Sequence, residues 1–101
     1  VSGDVNATTF TSVSDRSLKK NIKKIENPIE KLSEVNGVTF DWIKDSKPSS
    51  GIVAQDAEKV IPEAVIEVDG IKTVNYGCFI GYLIETVKNQ EKRIKELEQN
   101  L

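Results

Sequence analysis

The stretch NYGCFIGYLIETVKNQEKRIKELEQNL, residues 75–101, decides the architecture. Ile80, Leu83, Val87, Gln90, Ile94, Leu97 and Leu101 recur in alternating steps of three and four, the a/d seam of a heptad repeat with one polar member, Gln90. Between them lie Lys88, Glu91, Lys92, Arg93, Glu96 and Glu98, which suit a water-facing surface. Asn75 is placed to start the helix, which at 1.5 Å per residue would be about 39 Å long. Its last turns would be marginal alone. Its charged second half cannot all lie on a small domain, so the pattern predicts pairing with copies of the same chain. Ile and Val at a with Leu at d would by themselves favour two strands.

Upstream of this helix the periods are short and mixed. Asn27-Pro28-Ile29-Glu30 has the form of a helix start, with Asn27 as cap, Pro28 at the first turn and Glu30 completing a capping box. Ile29, Leu32 and Val35 then share a face, and Asn36-Gly37 closes the helix. Val38, Phe40 and Trp42 alternate as in a half-buried strand. Residues 44–50 read as a polar loop, Gly51–Ala54 as the partner strand, and Asp56–Ile61 as a short helix stopped by Pro62. Asp69-Gly70 between two β-branched runs predicts a two-residue hairpin. The fold class expected is α+β: a small hairpin-containing head with short helices (residues 14–75) and a long C-terminal helix (residues 76–101).

Composition narrows the function. A chain of 101 residues makes one small domain, and 38% apolar residues give it a modest core, so self-association would supply extra burial. A net charge of −2 argues against a nucleic-acid partner, and no apolar window is long enough for a membrane span. The lysines at 19, 20, 23 and 24 read mainly as a solvated face. The single cysteine, Cys78, sits in an apolar run and reads as a buried thiol. Phe40, Trp42 and Phe79 read as core. With no histidine in the chain, Ser-His-Asp and Cys-His catalysis and His-ligated metals are excluded, and any hydrolytic base must be Lys or a carboxylate. Neither a metal nor a cofactor is expected.

Residues 1–13 are rich in Ser, Thr, Gly and Asn and read as the end of a preceding β-rich region, with a boundary at Ser14 where charge density rises. From there three motifs follow in order: Ser14-Asp15-Arg16-Ser17-Leu18-Lys19-Lys20-Asn21-Ile22, then Gly51-Ile52-Val53-Ala54-Gln55 leading to Pro62-Glu63-Ala64-Val65, then Val74-Asn75-Tyr76 before the helix. Together they resemble the C-terminal intramolecular chaperone and auto-processing domain of phage tail spikes, tail fibres, neck appendages and endosialidases. The resemblance spans Ser14 to Leu101. It implies a homotrimer whose partners are its own copies and the upstream fibre or spike region of the same chain. It also implies folding assistance in the host cytoplasm during virion assembly, followed by self-release from the mature particle. The cut would fall between Val13 and Ser14, with a catalytic dyad of Ser14 and Lys19.

The chemistry is self-consistent. A serine hydroxyl needs a base, and a lysine amine can serve once it is neutral, a form that burial favours. Ser14 would attack the carbonyl of Val13, which its own covalent geometry holds near. Residues five apart point about 140° apart on a helix and to opposite faces on a strand. A turn must therefore bring Lys19 to Ser14, or Lys19 must come from another subunit; the expectation is that trimer assembly completes the site. Two other readings compete: a trimerisation module that does not cut, and a receptor-binding tip, which would need an exposed aromatic or polar pocket.

Overall fold

The computed structural model describes residues 11–101; the expectation for residues 1–10 lies outside them. The order is a 3-10 turn (Arg16–Leu18), α1 (Pro28–Leu32), β1 (Val38–Asp41), β2 (Pro48–Gly51), α2 (Ala54–Val60), a second 3-10 turn (Pro62–Ala64), β3 (Val65–Val68), β4 (Ile71–Val74) and α3 (Gly77–Gln99). The fold is α+β, with two separate antiparallel hairpins and a long C-terminal helix.

The hairpin turns set the strand registers. In β3–β4, Asp69 and Gly70 take φ of 51° and 79°, the paired left-handed conformations a two-residue loop demands, so Val68 faces Ile71 and Val65 faces Val74. In β1–β2 the connection is tied by Trp42 N–H donating to the Lys47 carbonyl (2.9 Å) and Ser46 N–H to the Trp42 carbonyl (2.8 Å), with Ser46 at φ 61°. That tie starts the returning strand at Pro48, opposite Asp41, rather than at Gly51 as expected. Proline is tolerated at the first residue of a strand because no ladder N–H is needed there. The apolar run after Gly51 is thereby freed, and α2 begins at Ala54, two residues earlier than the sequence suggested.

The capping box at Asn27 does not form. Asn27 adopts φ 54° and its side chain makes no cap hydrogen bond, so Pro28 alone marks the start. The α-helical part is only five residues. It runs out through i→i+3 bonds, Glu34 N–H to the Lys31 carbonyl and Val35 N–H to the Leu32 carbonyl, which carry the apolar face to Val35 without a further α-turn.

Ala57, Ile61, Ala64, Phe79 and Tyr82 form the core, with Ile25, Leu32, Ile52, Val65 and Val74 packed around it. The Pro28 side chain is fully buried as well. Thus α2, the second 3-10 turn and the first turns of α3 meet at one centre. The cap of α3 is Tyr76, one residue after the expected Asn75, whose side-chain oxygen still accepts the Gly77 N–H at 3.0 Å. A second tie comes from Tyr76, whose hydroxyl accepts the Ile52 N–H at 3.1 Å. A Cβ on Gly51 would lie 2.6 Å from that hydroxyl, so any larger residue there would push the Tyr76 ring aside.

Three expectations about the core are corrected. Phe40 is only half-buried and lies outside the core cluster. Trp42 is 54% exposed and meets Phe40 edge-on at a centroid distance of 4.9 Å. It follows the last paired residue of β1 and lies outside the core cluster. Cys78 is only half-buried, on the margin of the core, with its Sγ 3.8 Å from the Glu63 carbonyl.

Candidate functional site

Ser14 lies two residues before the 3-10 turn, ahead of its cap Asp15, and Lys19 immediately after it. The turn is built from the Leu18 N–H donating to the Asp15 carbonyl (3.1 Å) and the Lys19 N–H to the Arg16 carbonyl (3.0 Å). Asp15 caps it: its carboxylate accepts the Ser17 N–H at 3.0 Å and also the Ser17 hydroxyl. Those donors hold the Asp15 carboxyl below its ordinary value, the hydroxyl contributing more than the amide. Three residues per turn reverse the chain faster than an α-helix would, and Lys19 leaves the turn extended. The result is a contact in which Lys19 Nζ donates to Ser14 Oγ at 2.6 Å.

Of the two routes by which Lys19 could reach Ser14, the chain takes the turn. Both groups come from one chain, so no second subunit is needed for them to touch. Val13 adjoins Ser14 and is 82% exposed, and both members of the pair are exposed as well. For Lys19 to accept the Ser14 proton its amine must be neutral, and removal from water is what favours that form.

The seam residues lie along α3. Ile80, Leu83, Val87, Ile94 and Leu97 are each between 52% and 68% exposed, Leu101 is fully so, and Gln90 lies among them, also exposed. The first part of this stripe continues into a groove of about 480 Å³ lined by Leu32, Val35, Ile52, Tyr76, Ile80 and Leu83. An apolar stripe of this length on one face of a helix, left exposed by the described residues, is the surface a partner helix would cover.

Sequence reasoning missed two features. The Asp15 cap was legible as Asp followed two residues later by Ser, a local turn signature. The outward face of the second hairpin was not. Cross-strand pairing puts Ile66, Val68 and Ile71 on one side, 58–69% exposed, and Glu67 with Lys72 on the other. There Lys72 binds Glu58 of α2 and lies 3.8 Å from Glu67. Alternation alone would have put the charged pair outside.

With this geometry in view, the comparisons place the chain. The family model described as the chaperone of endosialidase (peptidase S74) matches residues 14–66. The long tail fiber protein Gp37 of Enterobacteria phage K3 is 38% identical over 108 residues, covering 97% of this chain and 9% of that protein. Gp37 of Enterobacteria phage T2 is 38% identical over 97% of this chain and 8% of its own length. Gp37 of Salmonella phage S16 is 34% identical over 87% of this chain and 13% of its own length. The chain therefore belongs to the endosialidase-chaperone family. It spans about a tenth of the length of the first two of these relatives.

Proposed function

We propose that this chain is the intramolecular chaperone of a phage fibre or spike protein. In this reading it trimerises, brings the upstream region of three chains into register, and releases itself by cutting between Val13 and Ser14. Residues 14–75 would be the head, residues 76–101 the coiled-coil stem, and residues 1–13 the end of the fibre region. The observation that carries the cutting is the 2.6 Å contact between Lys19 Nζ and Ser14 Oγ within one chain. Family membership supports the chaperone role, and the uncovered seam on α3 supports association.

The reaction balances without a cofactor. Lys19, as the free amine, takes the proton of Ser14 as Oγ attacks the Val13 carbonyl carbon. The tetrahedral intermediate collapses by breaking the bond to the Ser14 nitrogen, which takes up the proton. This leaves Val13 esterified to Ser14 Oγ. Water then hydrolyses the ester, giving a carboxylate at Val13 and a new N-terminus at Ser14. Assembly would contribute by shielding the exposed pair from water and so favouring the neutral amine.

Release has a physical purpose. Fibre shafts with many non-local contacts fold slowly and expose edges while doing so. Joining three chain ends raises their local concentration and fixes register. Removing the joint afterwards leaves the shaft held by its unfolding barrier. The process would take place in the host cytoplasm during virion assembly, with the freed domain absent from the finished fibre.

A second reading, a trimerisation module that does not cut, is favoured by the exposure of both members of the pair. Intact mass separates the two. Protein carrying its upstream residues should yield a fragment beginning at Ser14, and Ser14→Ala and Lys19→Ala should stay whole. A wild-type chain that trimerises and stays whole would favour the second reading.

A further inference from the structure

We propose that Asp15 is a positioning residue: its carboxylate, bound to the Ser17 N–H and hydroxyl, holds the 3-10 turn that delivers Lys19 to Ser14. This deepens the self-cleaving reading and rests on it. The Ser14–Lys19 contact spans five positions and depends on one three-residue turn between them. That turn has no buried residue to hold it. Its backbone bonds run from Leu18 to Asp15 and from Lys19 to Arg16, and its first free N–H groups need an acceptor. Asp15, extended at φ −65° and ψ 138°, supplies that acceptor from the capping position. With no buried residue in the turn, the cap and these two backbone bonds are its restraints among the described residues. The Asp15 carboxylate makes no hydrogen bond to Ser14 or Lys19, so it acts through the backbone rather than on the reacting atoms.

Capping requires an oxygen acceptor, not a negative charge, and Asn caps about as well as Asp while Ala does not. The full chain with its upstream residues would be prepared as wild type, Asp15→Asn and Asp15→Ala. Melting temperature and oligomeric state would be followed alongside the rate of appearance of the fragment beginning at Ser14. Asp15→Asn is expected to cut within about threefold of wild type and Asp15→Ala about tenfold more slowly, as loss of a cap implies, with melting and assembly unchanged in both. A wild-type rate in Asp15→Ala, or equal slowing in both variants, would overturn the proposal. A second readout does not depend on cutting. In the Lys19→Ala background, the Ser17 amide proton should move as the Asp15 carboxyl is titrated with acid, and should lose that response in Asp15→Ala. If wild type does not cut, the self-cleaving reading fails while this amide still tests the cap. A Ser17 amide indifferent to the Asp15 titration overturns the positioning role by itself.

Discussion

Replacing Ile94 with alanine should weaken self-association by an amount that the exposure of the seam allows to be worked out. Ile94 lies in the second half of α3 and is 52% exposed in the single chain. Fully burying an isoleucine side chain is worth about 1.5–3 kcal/mol, so covering the exposed half contributes about 1–1.5 kcal/mol per chain. In the proposed trimer three chains would lose about 3–4.5 kcal/mol together, or about two to three decades in the association constant. Because the midpoint concentration of a trimer varies as the inverse square root of that constant, it should rise about 10- to 40-fold. Sedimentation equilibrium of wild type and Ile94→Ala over a range of concentrations measures this directly. Helicity should follow the same transition, since the charged end of α3 has little to hold it when unpaired. A midpoint that does not move, or a wild-type chain that stays monomeric at every concentration, would refute the assignment of the seam.

Three further outcomes test the head. Gly51→Ala should destabilise it by about 1–2 kcal/mol in urea titrations, because the new Cβ meets the Tyr76 hydroxyl and displaces the Ile52 N–H bond. Adding Tyr76→Phe should recover part of that loss by removing the clashing oxygen, and no recovery would count against the clash. Ile61→Ala removes a fully buried side chain between α2 and the second 3-10 turn. It should cost about 2–5 kcal/mol, read from the denaturation midpoint. At alkaline pH, burial and then the neighbouring Glu63 raise Tyr82 above 10.0, and the bond to Glu58 raises Lys72 above 10.5. Both groups have folded values above their unfolded ones, so their contribution is present below about pH 10 and is lost as pH rises through the raised values. Melting temperature should hold until then and fall beyond it, and tyrosinate absorbance should show Tyr82 titrating late.

The residue order itself carried the helix, the second hairpin and the family. The steps of three and four along α3 are a property of the chain alone, and Asp69-Gly70 fixes its hairpin because few other pairs take two successive positive φ angles. Ser14 and Lys19 were picked out by the resemblance of their motif to the family, the absence of histidine requiring only that a base be Lys or a carboxylate. Where local signals competed with long-range ties, the sequence was not enough. The Asn27 capping box gave way to a left-handed residue beside the fully buried Pro28. The β2 start moved to Pro48 because the turn at residues 42–47 sets the register before any apolar run does. Trp42 reads as core by composition yet is 54% exposed, because β1 ends at Asp41 and leaves it beyond the strand and outside the core cluster. The contact between Ser14 and Lys19 was likewise decided only in three dimensions. Neither helical nor strand periodicity joins residues five apart, whereas a capped turn of three residues does.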